Sequence, residues 1–254
     1  MTWQGNEWEK WGQRDPYFAV ITRDDYHADR VDDGARRVFF AGGEDEIAMT
    51  VEDVRRVTSS DWRPNSVLDF GCGVGRLTIP LARISERICA VDVSPAMLRE
   101  AARNCEDAGL RNVDFRLSTP GLTGVEGPFD FVHSSIVFQH IPPSSGYALF
   151  DAILDRVTPN GAGMLHVVHG QRGSPLRTAA HRARRSSRVI HRLLNVIQRR
   201  PIDAPLMAMF EYELSRLLVS LQTRGFERIG GRLTDHGGWL GVMLTFSRGD
   251  AGSP

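Results

Sequence analysis

The sequence predicts an α/β fold in which helices cover both faces of a parallel β-sheet. Two observations carry this prediction: short β-prone runs alternate with helix-length segments, and a glycine-rich loop joins the first run to the helix after it. Connections of this kind are right-handed crossovers, which place successive strands parallel to one another. The chain has 254 residues, of which 41% are hydrophobic, and this is enough for one large domain with a sizeable core.

Five strands are predicted from short apolar runs bounded by glycine, proline or asparagine. They are expected at residues 66–70, 87–91, 113–117, 129–134 and 163–168. Helices are expected over 77–82 and 95–108, where apolar residues recur at helical spacing. Ser94 is a natural N-cap for the second of these helices, and Pro95 suits its first position.

The chain closes with a predicted helix and two predicted strands. The helix covers 207–225, with Gly225 as its C-terminal cap. The strands cover 226–233 and 239–247, with the turn residues 235–238 between them. Two short strands joined by a turn predict an antiparallel edge to the sheet.

Two further segments surround the predicted core of 63–170 and 207–248. Residues 1–62 are predicted as a helical cap, in which Trp8, Trp11 and Tyr17 either form an aromatic lid over a ligand or belong to the core of the cap. Residues 171–206 are predicted as an insertion.

The insertion is rich in arginine. Nine arginines and no acidic residue lie between Arg172 and Arg200, and apolar residues share one helical face. Such a basic amphipathic helix suits RNA, a membrane surface, or an anionic acceptor or partner. The alternative is a solvated face that packs on an acidic segment of this chain or of a second subunit.

Composition narrows the classes of function. Thirty-one basic residues balance 31 acidic ones, so net charge does not favour nucleic acid as a partner. Cys72, Cys89 and Cys105 form no CxxC pair, and no histidine pair has metal-ligand spacing, so neither disulfides nor a metal are predicted. A signal-peptide pattern and an apolar run of ~18 residues are both lacking, so we expect a cytoplasmic protein.

The loop after the first strand, Asp69-Phe70-Gly71-Cys72-Gly73-Val74-Gly75, is the most informative segment. Glycines there let the backbone approach a ligand closely, and Asp92 follows the next strand, where a ribose-binding carboxylate lies in nucleotide-binding units. The spacing G-x-G-x-G, preceded by an acid, differs from the G-x-G-x-x-G of dinucleotide sites and favours a positively charged ligand without phosphates. The alternative is a tight turn without a ligand.

These residues resemble class I S-adenosylmethionine-dependent methyltransferases. The resemblance rests on VLDFGCGVGRLTIPLA at 67–82 and VDVSPAML at 91–98, and it continues in FDFVHSSIVFQHIPP at 129–143 and VTPNGAGMLHVV at 157–168. It implies a Rossmann-like sheet in the order 3-2-1-4-5-7-6 with strand 7 antiparallel, and S-adenosylmethionine as the cofactor.

The resemblance also implies roles for single residues. The glycines would line the methionine and ribose part of the cofactor, Asp69 would support the loop, and Asp92 would bind both ribose hydroxyls. Ser118 lies where many relatives have an aspartate for the adenine amino group, so a hydroxyl or a backbone group must replace it. The implied cofactor-binding residues are Asp69, Gly71, Cys72, Gly73, Gly75, Asp92, Val93, Met97, Ser118 and Ser134.

Methyl transfer to oxygen usually needs a proton acceptor, and two histidines are candidates. His140 lies just beyond the fourth strand, and an ordinary histidine pKa near ~6.5 suits a base, although the residue could instead orient its loop. His169 follows the fifth predicted strand, whereas His133 and His166 lie within strands and are expected to be packed.

The predicted function is therefore O-methylation of a small-molecule hydroxyl, on a saccharide or a secondary metabolite, with a histidine base. The alternatives are an RNA methyltransferase that uses the Arg-rich insertion and a regulator that binds the cofactor without turnover. The oligomeric state stays open.

Overall fold

A computed structural model of the protein describes residues 3–173, 202 and 204–248. Within these residues, seven strands form one sheet in the order β3-β2-β1-β4-β5-β7-β6. The strands are β1 (Ser66–Phe70), β2 (Arg87–Asp92), β3 (Val113–Leu117), β4 (Phe129–Ser134), β5 (Val157–Gln171), β6 (Phe226–His236) and β7 (Trp239–Arg248). β7 runs antiparallel to β5 and β6, and the other neighbours are parallel. The predicted α/β class, strand order and antiparallel strand are confirmed.

Seven α-helices are described beside this sheet. They are α1 (Trp3–Arg14), α2 (Pro16–Val20), α3 (Asp33–Arg55), α4 (Thr78–Arg83), α5 (Pro95–Asp107), α6 (Pro143–Leu154) and α7 (Leu214–Thr223). The first three form the predicted N-terminal cap. The side chain of Ser94 accepts a hydrogen bond from the Met97 N–H at the start of α5, as predicted for an N-cap.

Alternate residues of the central strands pack on opposite faces of the sheet. Val67 of β1 belongs to a core with Ile47 and Val54 of α3, whereas Leu68 belongs to a second core with Phe150 of α6. This period of two follows from the pleat of a strand. Both faces are covered, as a parallel sheet requires.

The predicted bounds of the last three strands were wrong. β5 begins earlier than the predicted 163–168, at Val157 beside β4, and it continues alongside β7 as far as Gln171. β6 extends past its predicted end to His236, so the turn shrinks to Gly237 and Gly238, whereas β7 begins at Trp239 as predicted and ends one residue late, at Arg248. Pairing in the long hairpin overrides the local turn signals at 235 and 236.

The predicted helix 207–225 is shorter than expected, since α7 begins only at Leu214. Backbone groups of the preceding residues bond to other parts of the chain: the Phe210 N–H donates to the Gln139 carbonyl oxygen in the turn after β4, and the Tyr212 N–H donates to that of Val168 in β5. These tertiary bonds replace helical ones and outweigh helix propensity. Gly225 has φ +77° just after α7, as its predicted capping role requires.

The Arg-rich insertion lies largely outside the described residues. Of its arginines only Arg172 is described, and its side chain forms an ion pair with Asp235 (Nη2···Oδ2 2.5 Å). The proposed domain boundaries stay predictions.

Helix α3 lies against the loop after β1 through a glycine. A Cβ added to Gly43 would come within 2.4 Å of the Arg76 carbonyl oxygen. The Arg76 side chain in turn donates to the Glu46 carboxylate (Nη1···Oε2 2.7 Å). The cap and the loop are therefore packed without room for a methyl group.

We expect Gly43→Ala to lower the free energy of unfolding by about 2 kcal/mol, because the methyl group overlaps backbone that cannot move freely. Gly42→Ala is the matched control, since its Cβ would meet only the Arg76 side chain, at 3.2 Å. The control should be neutral or stabilising by up to ~1 kcal/mol, the gain in helix propensity. Urea unfolding of both variants measures the difference, and equal stabilities would contradict the close packing.

Candidate active site

The carboxyl ends of β1, β2, β3 and β4 meet at one edge of the sheet, where they border a cavity of about 990 Å³. Open α/β sheets bind ligands at this edge. One end of the cavity lies at the glycine-rich loop, and the other lies beneath the residues after β4 and beside the β6–β7 hairpin. The cavity is large enough for two small molecules side by side.

The glycine-rich loop is fixed to β2 by its backbone. The N–H groups of Gly71 and Cys72 both donate to the Val91 carbonyl oxygen, at 2.7 and 3.0 Å. Gly71 has φ +79°, and a Cβ there would lie 2.2 Å from the Val137 side chain. Gly71 and Gly73 line the cavity, whereas Gly75 packs against Ala101 of α5.

Asp92 ends β2 with its carboxylate at the wall of the cavity. The Gly73 N–H donates to Oδ2 and the Ser94 N–H donates to Oδ1, each at 2.9 Å. Burial raises the pKa of Asp92 to about 6, and these backbone hydrogen bonds offset only part of that effect. A carboxylate oriented in this way still has lone pairs for the hydroxyl groups of a ligand.

Asp69, which was predicted to support the loop, is buried in β1 just before it. It accepts from the Thr78 hydroxyl (2.6 Å) and contacts His133 Nδ1 (2.9 Å), and all three side chains are buried. Asp69 and Cys72 border a smaller cavity of about 40 Å³ and are not among the described residues that line the large one. Burial raises the pKa of the Cys72 thiol, which keeps it protonated and unreactive.

The predicted contact at the end of β4 is displaced by one residue. Ser134 is fully buried, and it is Ser135 that lines the cavity. The Ser135 hydroxyl donates to Glu46 Oε1 (2.6 Å). Burial acts to raise the pKa of Glu46, but the hydrogen bonds from Ser135 and Arg76 outweigh it and keep the pKa below its ordinary value.

The residues predicted to lie near an adenine ring border the cavity. Val93, Met97 and Ser118 all line the cavity, and the Ser118 N–H donates to the Asp92 carbonyl oxygen (2.8 Å). Leu117 adds an exposed apolar side chain to the same wall.

His140 lies in a short 3₁₀ turn (Phe138–His140) at the other end of the cavity and is only 7% exposed. Its Nδ1 lies 2.8 Å from the Ala208 carbonyl oxygen, and its Nε2 lies 3.2 Å from Gln139 Nε2. The Trp8 ring packs edge-on against it, with ring centroids 4.9 Å apart. Burial lowers the pKa of His140 to about 4, which the hydrogen bond to Ala208 does not overcome, so the ring is neutral at pH 7.

His169 does not lie in a loop beyond β5, because the strand continues to Gln171. It occupies an irregularity in the pairing with β7, between Val168 and Gly170, and is not among the described residues that line the cavity. His133 and His166 are buried, as predicted. His236 also lines the cavity, from the end of β6, although the sequence predicts it in the turn between the last two strands.

The sequence left open whether Trp8, Trp11 and Tyr17 cover a ligand or form the core of the cap, and the structure has residues in both positions. Trp8 lines the cavity, whereas Tyr17 is buried in the cap and its hydroxyl donates to Glu100 of α5 (2.8 Å). Trp11 packs against Phe18 within the cap. Only Trp8 is therefore placed to cover a ligand.

The described residues lack both a cluster of metal-binding side chains and a helix that could span a membrane. No group of three or more histidine, cysteine, aspartate or glutamate side chains there is arranged to hold a metal ion. None of the described helices combines the length and apolar character needed to cross a membrane.

Residues 67–161 match a family model described as a methyltransferase domain. Over these residues, which are less than half of the chain, the protein is similar to methyltransferases. This range contains the glycine-rich loop, Asp92 and His140, and so it includes most of the cavity's protein wall.

Similar proteins support the same assignment over part of the chain. The ubiquinone biosynthesis O-methyltransferase of Methylocella silvestris is 38% identical over 82 residues, which are 32% of this chain and 32% of that protein. The 23S rRNA (uracil(1939)-C(5))-methyltransferase of Shewanella sediminis is 32% identical over 120 residues, which are 44% of this chain and 24% of that protein. The chain thus spans a third or less of the length of these relatives.

A solved structure extends the likeness of fold beyond the methyltransferase domain. The magnesium protoporphyrin IX methyltransferase of Synechocystis has a TM-score of 0.61 over 97% of this chain and 100% of that chain, at 17% identity. At this identity the likeness establishes the fold.

We expect Gly71→Ala to destabilise the methyltransferase domain by about 3 kcal/mol, since it combines a left-handed backbone with overlap on Val137. Gly109→Ala separates the two effects, because Gly109 has φ +74° but nothing within 4 Å of an added Cβ. The free energy of unfolding of that control should fall by only about 1 kcal/mol. The measurement is urea unfolding, and equal losses would show that Val137 does not restrict the loop.

Proposed function

We propose that this protein transfers a methyl group from S-adenosylmethionine to a hydroxyl group of an uncharged, largely apolar small molecule. The observation that carries the proposal is the cavity, which joins the Asp92 end to the His140 end. Among its described lining residues Asp92 is the only carboxylate, and none is a lysine or an arginine.

The residues at the Asp92 end fit the cofactor. Asp92 offers lone pairs to the ribose hydroxyls, and Gly71 and Gly73 have no side chains where the ligand would lie against the loop. Val93 and Met97 offer apolar surface to the adenine ring. When bound, S-adenosylmethionine supplies a methyl group on a positively charged sulfur.

The other end of the cavity supports an uncharged acceptor. Its apolar wall includes Ile141, Leu149, Met207, Met209 and Trp239, and the polar side chains there are Gln139, His140, Ser145 and His236. A charged group buried there would lose its hydration without gaining a partner. A saccharide would leave several hydroxyls unpaired, so an apolar secondary metabolite with one or a few hydroxyls suits the described wall better.

Oxygen is favoured over nitrogen as the methylated atom for a related reason. A protonated amine would need a carboxylate at this end, and the described wall has none. The likeness to an O-methyltransferase of ubiquinone biosynthesis supports the same choice.

The residues around the acceptor contribute mainly alignment and exclusion of water. Trp8 and the residues at 207–209 cover His140, so a bound acceptor would be held in a dry site with few orientations. His140 was predicted as the base, and its lowered pKa makes it a weaker base than an ordinary histidine. On transfer, the acceptor oxygen would form its bond to the methyl carbon as the bond from that carbon to sulfur breaks, and the methylated oxygen would then lose its proton to water. The proposal therefore depends more on orientation than on proton transfer by His140.

We expect Asp92→Asn to weaken binding of S-adenosylhomocysteine about 10- to 100-fold, because a charge-assisted hydrogen bond contributes about 1.5–3 kcal/mol. Asp114→Asn, at an exposed position on β3, is the matched control and should bind like the unmodified protein. Isothermal titration calorimetry measures both. Unchanged binding by Asp92→Asn would contradict the proposed cofactor site.

We also expect the affinity for S-adenosylhomocysteine to depend on the ionisation of Asp92. Since burial raises its pKa to about 6, the free protein holds a proton on Asp92 below that pH and must lose it to accept the ribose hydroxyls. Affinity should be constant from pH 7 to 8 and fall toward ~tenfold per unit below pH 6.

Calorimetry between pH 5 and 8 tests this dependence. Asp92→Asn should show a flat profile over the same range, since an amide does not titrate. A flat profile for the unmodified protein would show that Asp92 does not contact the ligand as an ionised group.

A further inference from the structure

The tautomer of His140 follows from its contacts. The Ala208 carbonyl oxygen, 2.8 Å from Nδ1, only accepts hydrogen bonds, so Nδ1 carries a proton and donates it. Because burial keeps the ring neutral, Nε2 has no proton and presents a lone pair.

This lone pair fixes the orientation of the neighbouring amide. Gln139 Nε2 lies 3.2 Å from His140 Nε2, so the amide NH₂ donates to the ring. Turning the amide over would place its oxygen against the lone pair, which is repulsive. The lone pair that a histidine base would use is therefore already engaged by Gln139.

The described residues leave the amide oxygen without a partner. Gln139 lines the cavity, is 5% exposed, and its Oε1 is buried with no hydrogen-bond donor among the described residues. Its backbone is fixed as well, because its carbonyl oxygen accepts from the Phe210 N–H (2.7 Å). A buried acceptor without a donor is costly unless a ligand or water satisfies it.

We propose that Gln139 Oε1 is the binding atom for the acceptor's hydroxyl group, and that His140 is a positioning residue that keeps the Gln139 amide in this orientation. The inference rests on the proposed function, because it assumes an acceptor with a hydroxyl. It narrows the ligand class to uncharged alcohols and phenols with an apolar skeleton, since ethers and ketones have no proton to donate to Oε1.

The orientation can be tested without any acceptor, by nitrogen-15 NMR of histidine-labelled protein, with the His140 signal assigned by its loss in His140→Phe. We expect an Nδ1–H tautomer that stays neutral from pH 8 to 5.5. Gln139→Glu should raise the pKa of His140 toward neutral pH, because a carboxylate favours a proton on Nε2. An Nε2–H tautomer, or a charged ring at pH 7 in the unmodified protein, would overturn the positioning role.

The hydroxyl site is tested by calorimetry on protein saturated with S-adenosylhomocysteine. The probes are 2-naphthol and naphthalene, which differ by one hydroxyl. We expect 2-naphthol to bind about tenfold more tightly, the effect of one hydrogen bond of about 1.4 kcal/mol. Gln139→Leu should reduce this ratio to about one, and His140→Phe, which keeps an aromatic ring beside Trp8, should reduce it in part.

Gln222→Leu, the same substitution on an exposed face of α7, is the control and should keep the full ratio. Binding of S-adenosylhomocysteine is measured first in every variant. Its absence in the unmodified protein would contradict the proposed function, whereas its presence with equal affinities for the two probes would overturn the hydroxyl site alone. If neither probe binds, the proposal that this end of the cavity takes apolar hydroxyl compounds would be overturned.

Discussion

The attachment of the glycine-rich loop to the end of β2 is the constraint on which the rest of the site depends. The Gly71 N–H donates to the Val91 carbonyl oxygen, and the Gly73 N–H donates to the Asp92 carboxylate. The loop is buried between strand and cap, where an unpaired backbone group would be costly. Once these bonds form, the direction of the loop, the position of Asp92 and the surface available to the cap helices are determined together.

Much of this fold could be predicted from local patterns. Buried parallel strands such as β1 are short and mostly apolar, and Ser94 marks the start of α5 because its side chain caps the helix. The failures have a common cause, since they occur where residues far apart in sequence pair. β5 extends to Gln171 because it pairs with β7. Residues 207–213 are not helical because backbone N–H groups among them donate to the carbonyl oxygens of Gln139 and Val168.

The two ends of the candidate site also differ in how far the sequence predicts them. Its Asp92 end was predictable because the residues belong to one contiguous strand–loop–helix unit. At the other end, Met207 and His236 come from segments whose predicted conformation was wrong. Trp239 begins a strand as predicted, but nothing in the sequence places it at the cavity, and the orientation of the Gln139 side chain depends on its contact with His140. His140 is the clearest case, because its residue type predicts a base, whereas its burial and the contacts of its two ring nitrogens support the orienting role that we propose.

Helix α1 reaches the site through three consecutive residues. Glu7 accepts from the Leu206 N–H, Trp8 packs on His140, and Glu9 accepts from the Ser94 hydroxyl at the start of α5. Successive side chains of a helix point about 100° apart, so these three reach three separate surfaces. An insertion or deletion between Glu9 and α2 would rotate all three contacts at once, so divergence of acceptor preference within such proteins should proceed by substitution in the cavity wall while the length of this first segment is conserved.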